Sequence, residues 1–362
     1  MNLNNPIGYK STEPLQKPFI MNPFRFGGAE SVGGWVELGR TTLGGTGNTI
    51  TVSSLADKRY YMVLMNNINT GVTPQVAMRL GNSTADSGVN YAGRYSRNGA
   101  GDSTNPSATS MTAEGYVASN AQGFGTSYIA NLSSKEKLLL TNYVYGVTGA
   151  GTAPARQENA TKYALTSNPI DVVQMLNVNT STFASGSECV VLGYDPLDTH
   201  TTNFWEELAS TNGTGATSFN SGVFTSKKYL MVQIYIDRSG DSTNGKITVG
   251  NTTLDTTNSY SRRRSTDGEA DDTLVNQPNI SLRTAGTREF YNIFIINNSS
   301  NEKLFIIHQV AGGSLGAGTP PFRGEFVAKW TNTSNQIDII GFESGGTNTL
   351  SSTSIIKVWG SD

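Results

Sequence analysis

Apolar and polar residues alternate with a period of two along much of this chain, the spacing that turns one face of a β-strand into a core. In Tyr229 to Ile236, residues Leu230, Val232, Ile234 and Ile236 share one face, and Tyr229, Met231, Gln233 and Tyr235 share the other. An earlier segment places Tyr61, Val63 and Met65 on the equivalent face. Further runs, Phe290 to Ile296 and Leu304 to Val310, flank Asn297-Asn298-Ser299-Ser300-Asn301, whose residue types predict a hairpin connection. A last run, Ile355 to Trp359, closes the pattern. Only Trp205-Glu206-Glu207-Leu208 suggests a helical turn.

The alternation occurs twice. Residues 57 to 99 align without a gap on residues 226 to 268, at a constant offset of 169. Gly81, Asn82, Thr84, Asp86, Tyr91, Arg94, Ser96 and Gly99 recur as Gly250, Asn251, Thr253, Asp255, Tyr260, Arg263, Ser265 and Gly268. Glu136-Lys137-Leu138 returns as Glu302-Lys303-Leu304, and Gly149 to Pro154 returns as Gly316 to Pro321. The chain therefore divides into an extended arm (1–34), repeat one (35–195), a linker (196–204) and repeat two (205–362). A period this long is not that of a solenoid, and each copy is large enough to bury its own core. Roughly eight strands per copy predict two tandem antiparallel β-sandwiches of jelly-roll type, in an all-β chain.

Composition supports this class. The 362 residues include 40 glycines and only 15% charged residues, which favours short strands and tight turns over helices. A net charge of −2 provides no field for nucleic acid or an anionic membrane, so neither is expected as a partner. No run approaches the ~20 apolar residues of a membrane span, and no secretory signal is visible. The single cysteine, Cys189, stands where repeat two has Ile356, which predicts a small buried hydrophobe.

Little in the chain supplies chemistry. The two histidines, His200 and His308, do not recur, and with one cysteine they leave little material for a zinc site. The expectation is no metal, no cofactor and no catalytic residue. Gly44-Gly45-Thr46-Gly47 lacks the lysine of a phosphate loop. The best polar candidate is the Asp86/Arg94 pair with its copy Asp255/Arg263, read as a loop clamp or a contact. Tyr91, Tyr95 and Tyr260 are candidates for stacking on sugars, and Asp267, Asp271 and Asp272 could receive a cation. The long connections, about residues 98 to 123 and 266 to 288, are expected to project from the sandwiches.

The arm differs from the rest. It carries Pro6, Pro14, Pro18 and Pro23 together with Tyr9, Phe19, Ile20, Phe24 and Phe26. Proline stiffens it, and the apolar residues predict docking on a neighbouring subunit, with folding back on the chain's own first domain as the alternative.

Repeats that open on Trp35-Val36-Glu37-Leu38 and Trp205-Glu206-Glu207-Leu208, pass through Arg59-Tyr60-Tyr61-Met62-Val63 and Lys228-Tyr229-Leu230-Met231-Val232, and end near Trp359-Gly360-Ser361-Asp362 resemble β-sandwich structural proteins of tailed bacteriophages. With its N-terminal arm the chain is similar to their decoration, cement and fibre proteins. That resemblance implies a non-enzymatic virion component, assembled in the host cytoplasm, with capsid, neck or tail subunits as partners. It also fits a homo-oligomer, in which three duplicated chains would approximate sixfold symmetry. A carbohydrate-binding tail protein that recognises a glycan is the alternative, and a double jelly-roll major capsid protein a further one.

Overall fold

The computed structural model describes residues 34–70, 75–116, 122–179, 181–196, 198, 202–240, 244–283, 286–312 and 316–362. Among these residues the chain is all β, with no helix. The strands form four antiparallel sheets, and no sheet mixes strands from before and after the linker.

The larger sheet of repeat one runs, in spatial order, Val36–Thr42, Glu188–Tyr194, Tyr60–Thr70, Gln122–Ala130, Lys137–Gly146, Ala155–Tyr163, Tyr91–Arg97 and Ser103–Ala108. Repeat two repeats that order strand for strand: Glu206–Asn212, Ile355–Ser361, Tyr229–Asp237, Arg288–Ile296, Lys303–Gly312, Phe322–Trp330, Tyr260–Thr266 and Asp272–Gln277. A smaller sheet covers one face of each. It is built on Thr49–Val52, Val172–Asn177 and Gln75–Asn82 in repeat one, and on Ser218–Asn220, Ile339–Glu343 and Lys246–Asn251 in repeat two. Two tandem β-sandwiches with one topology are thus the fold. The arm, apart from Gly34, lies outside the described residues.

The alternating residues fill the cores as expected. Tyr61, Val63 and Met65 pack with Met78, Val173 and Val191 in repeat one. Leu230, Val232, Ile234 and Ile236 pack with Val249, Ile340 and Val358 in repeat two. Cys189 and Ile356 are both fully buried, and burial pushes the Cys189 thiol up to about 12.

Many of the recurring polar residues are explained by these cores. Tyr91 donates its hydroxyl proton towards the carbonyls of Leu80 and Asp86, both at 2.9 Å, and accepts from the Leu80 N–H. Tyr260 does the same with Val249 and Asp255, tying the edge of each small sheet to the large one. A Cβ on Gly81 or Gly250 would stand 1.8 Å from the carbonyl oxygen of Thr84 or Thr253, so the tight return of the chain there admits only glycine. Lys137 and Lys303 lie buried and donate to backbone carbonyls. Lys137 meets those of Lys135, Leu165 and Asn168, and Lys303 meets those of Asn301 and Asn332. Burial holds the Lys303 ammonium down at about 8, against the pull of Glu302.

Three expectations change. Trp205-Glu206-Glu207-Leu208 is not a helical turn but the start of the strand Glu206–Asn212, whose register shifts between Glu207 and Ala209. A bulge of this kind breaks the period of two and leaves a helix-like spacing. The long connections do not simply project, because Ser103–Ala108 and Asp272–Gln277 extend the large sheets beside Tyr91–Arg97 and Tyr260–Thr266. Each repeat also holds more strands than the roughly eight expected, since short edge strands such as Thr84–Ala85 and Thr253–Leu254 add to the long ones.

Candidate functional site

The second face of each large sheet decides where the chain can make contact. Antiparallel register sets its residues in rows that cross the strands. In repeat one, the first row is Tyr194, Tyr60, Ala130, Leu138, Lys162 and Ala92. The second is Leu192, Met62, Tyr128, Leu140, Ala160 and Arg94. The fourth, further along the strands, contains Glu188, Asn66, Phe124, Val144 and Arg156.

The fourth row is covered by repeat two. Phe124 and Val144 are buried in a third apolar cluster with Tyr229, Phe294, Leu304, Ile306 and Val327, which belong to the first and second rows of the other repeat. Trp35, Phe204 and Trp205 complete this cluster, Phe204 meeting Trp205 edge to face with centroids 4.9 Å apart. Charged groups frame it. Glu188 accepts from Lys228 Nζ at 2.9 Å and from Tyr229 Oη at 2.7 Å. Burial opposes its ionisation, but those bonds and one from Thr42 outweigh it and hold the carboxyl below its usual range. Arg156 is buried and bridges Glu158 of its own repeat to Asp271 at 2.7 Å and Glu325 at 2.9 Å.

Along the strands from this junction, the outer face of repeat one is open. Leu138 and Leu140 are 59% and 62% exposed. With Trp35, Tyr60, Tyr128 and Ala160 they line an apolar groove of about 770 Å³, rimmed by Arg94 and Lys162. Trp35 packs against Tyr194 and Tyr128 at centroid distances of 5.7 and 6.2 Å, and the arm joins the sandwich at this tryptophan.

The candidates named from sequence fall in several places. Asp86 and Arg94 are not brought together. Asp86 closes its own turn, accepting from the Gly88 N–H at 2.7 Å and from Asn90 Nδ2 at 2.8 Å, whereas Arg94 faces Asp102 at 3.4 Å. Asp255 likewise holds Thr257, Ser259 and Trp330 Nε1. Arg263 sits at the junction, donating to the Pro154 carbonyl at 2.9 Å. Burial disfavours the charged form of both aspartates, but their hydrogen bonds outweigh it and lower both carboxyls. The recurring aspartates are therefore turn clamps, whereas Arg94 is a surface group of the outer face and its copy Arg263 is half-buried in the junction.

Tyr91 and Tyr260 are buried and have no face to offer a sugar; Tyr95 is half-buried. Asp271 and Asp272 are engaged by arginines, and Asp267 accepts from the Arg323 N–H. Among the described residues no cluster has the make-up of a metal site. His308 lies half-buried in Lys303–Gly312, opposite Glu325, and burial lowers its imidazolium. Tyr9, Phe19, Ile20, Phe24, Phe26 and His200 lie outside the described residues. The open groove itself was missed. Its signal was Leu138 and Leu140 on the face opposite the core residue Leu139.

No protein-family profile matches the chain, and no curated protein matches it. Among solved structures, domains LG4-5 of the mouse laminin alpha1 chain are similar over 95% of this chain and 93% of that one, at 11% identity and a TM-score of 0.19. The LG1-3 region of the laminin alpha2 chain is similar over 86% of this chain, at 9% identity and a TM-score of 0.21. The match spans 64% of the latter's length.

Proposed function

We propose that this chain is a non-enzymatic structural component of a bacteriophage virion that works by contact, as a capsid decoration or cement protein or another accessory of head, neck or tail. The sequence resemblance supplies the setting. The observation that carries the reading is the apolar groove beside Trp35 and Tyr128, in which Leu138 and Leu140 are left uncovered where their counterparts in repeat two are buried. A contiguous exposed apolar face of this kind is an interaction surface. The arm precedes Trp35 in the chain, and its Phe19, Phe24 and Phe26 would anchor the chain to a capsid or tail subunit.

Deleting residues 1–34 should leave both sandwiches folded, because their cores draw on later residues, and should abolish incorporation into particles. Quantifying the truncated protein in purified virions beside the full chain tests this. Incorporation at the full-length level would exclude the anchoring role.

A further inference from the structure

The junction between the two repeats is one-sided. The fourth row of repeat one is buried against the first and second rows of repeat two, while Phe290 and Val310 in the fourth row of repeat two and Leu138 and Leu140 in the first and second rows of repeat one remain exposed. A twofold junction would use both pairs of surfaces; this one uses a single pair and leaves a complementary half at each end of the chain.

The unused halves carry counterparts of the main contacts of the used ones. On the donor side, Phe124 and Val144 are buried, and their counterparts Phe290 and Val310 are 38% and 43% exposed. On the acceptor side, Leu304 and Ile306 are buried, and their counterparts are the exposed Leu138 and Leu140. Tyr229, which meets Phe124 at 6.3 Å between centroids, corresponds to Tyr60 at the open groove.

Charge repeats as well. The bridge from Arg156 to Asp271 has as its counterparts Arg323 and Asp102, whose side chains are 62% and 52% exposed. The backbone is prepared in the same way, since the N–H of Arg156 donates to Asn98 Oδ1 at 2.9 Å and that of Arg323 to Asp267 Oδ1 at 2.8 Å. Asn98-Gly99 and Asp267-Gly268 both take positive φ, as a tight hairpin turn requires. Asp271 lies so close to Gly99 that a Cβ there would meet its carboxylate at 2.5 Å, while a Cβ at Gly268 would meet only the Arg323 guanidinium, at 3.6 Å, the group an incoming Asp102 would pair with. One contact is not reproduced, because Ile355 stands where Glu188 would be.

We infer that a second copy of this chain docks on the open groove of repeat one through the Phe290, Val310 and Arg323 face of its repeat two, remaking between chains the junction that joins the repeats within one. The contact is head-to-tail, so successive copies form a closed ring if the rotation closes and a filament if it does not. Arg323 of one copy then pairs with Asp102 of the next, and Phe290 lies on Tyr60.

The inference deepens the assembly reading, and charge reversal tests it. The full chain, Asp102→Arg, Arg323→Asp, the double variant and an equimolar mixture of the two single variants are compared by sedimentation velocity over a concentration series, with circular dichroism confirming the fold. Both positions are exposed, so folding should survive. The wild-type chain should self-associate, and each single variant should associate at least about tenfold more weakly. The double variant and the mixture should both recover, since each restores opposite charges between copies. Monomeric wild-type protein, association that neither reversal weakens, or a mixture that fails to recover would overturn the inference. A variant pair that changes monomer shape but not mass would also overturn it, by placing the second contact within one chain. Incorporation of a strictly monomeric protein into particles would leave the virion assignment standing while removing this one.

Discussion

Replacing Glu289 with alanine is expected to lower the stability of repeat two by about 3 to 5 kcal/mol. Glu289 and Arg238 are both fully buried and form a two-pronged ion pair, at 2.7 and 2.9 Å. Tyr291 adds a hydrogen bond to the carboxylate, and the guanidinium lies over the Phe342 ring at 5.5 Å. Burial raises the Glu289 carboxyl and Arg238 offsets that only in part, so each partner depends on the other. Removing the carboxylate strands a cation in a core. Chemical denaturation followed by circular dichroism reads the loss, and a drop under about 1 kcal/mol would contradict the assignment. Arg238→Met with Glu289→Leu should be milder than the single change, because an apolar pair leaves no charge unpaired. Repeat one has Asn69 and Gly123 at these places, with Asn67 donating to Asn69 at 2.9 Å, so it has no equivalent of this ion pair to lose.

The second large effect concerns the junction. Arg156→Ala removes the one side chain among the described residues that bridges Glu158, Asp271 and Glu325 together, and leaves the buried Asp271 facing Arg263 at 3.9 Å. A cost of about 2 to 4 kcal/mol is expected, on the scale of a buried charge losing its partner. This loss falls between the repeats rather than inside either core. Calorimetry should therefore show unfolding that is cooperative across the chain in the wild type and split into two transitions in the variant. An unchanged single transition would mean that the repeats are not coupled through Arg156.

How far the sequence carried this picture can be seen residue by residue. The alternation in Tyr229 to Ile236 identified the core face, and the duplication predicted two sandwiches with one strand order. What covers the second face was hidden. Tyr229 and Met231 sit beside Gln233 and Tyr235 on what reads as a solvated face, yet the first two are buried against the other repeat. Period two tells which residues share a side, not what lies opposite. The recurrence of Asp86 and Arg94 was legible, but not their partners. Asp86 belongs to the turn that ends the small sheet, and Arg94 to the outer face of a strand in the large one, so short separation in sequence did not become contact. Lys137 and Lys303 marked the duplication without revealing that they hold backbone carbonyls in buried corners. In Trp205 to Leu208 a bulge imitated a helical spacing.

Burial differences between equivalent residues identify the open surface. Leu140 and Ile306, or Val310 and Val144, have similar chemistry in the same place on the same fold, and only the neighbour differs. A duplicated chain thus contains its own reference for what each exposed face is suited to meet.

The most direct test of the account is the solution mass of the full chain by light scattering over rising concentration, beside a Leu138→Glu, Leu140→Glu variant. Both leucines are exposed, so the variant should fold normally. The account predicts a mass that climbs in whole multiples of the monomer for the wild type and stays at one monomer for the variant. A wild-type mass of one monomer throughout, or equal association of the two proteins, would contradict it.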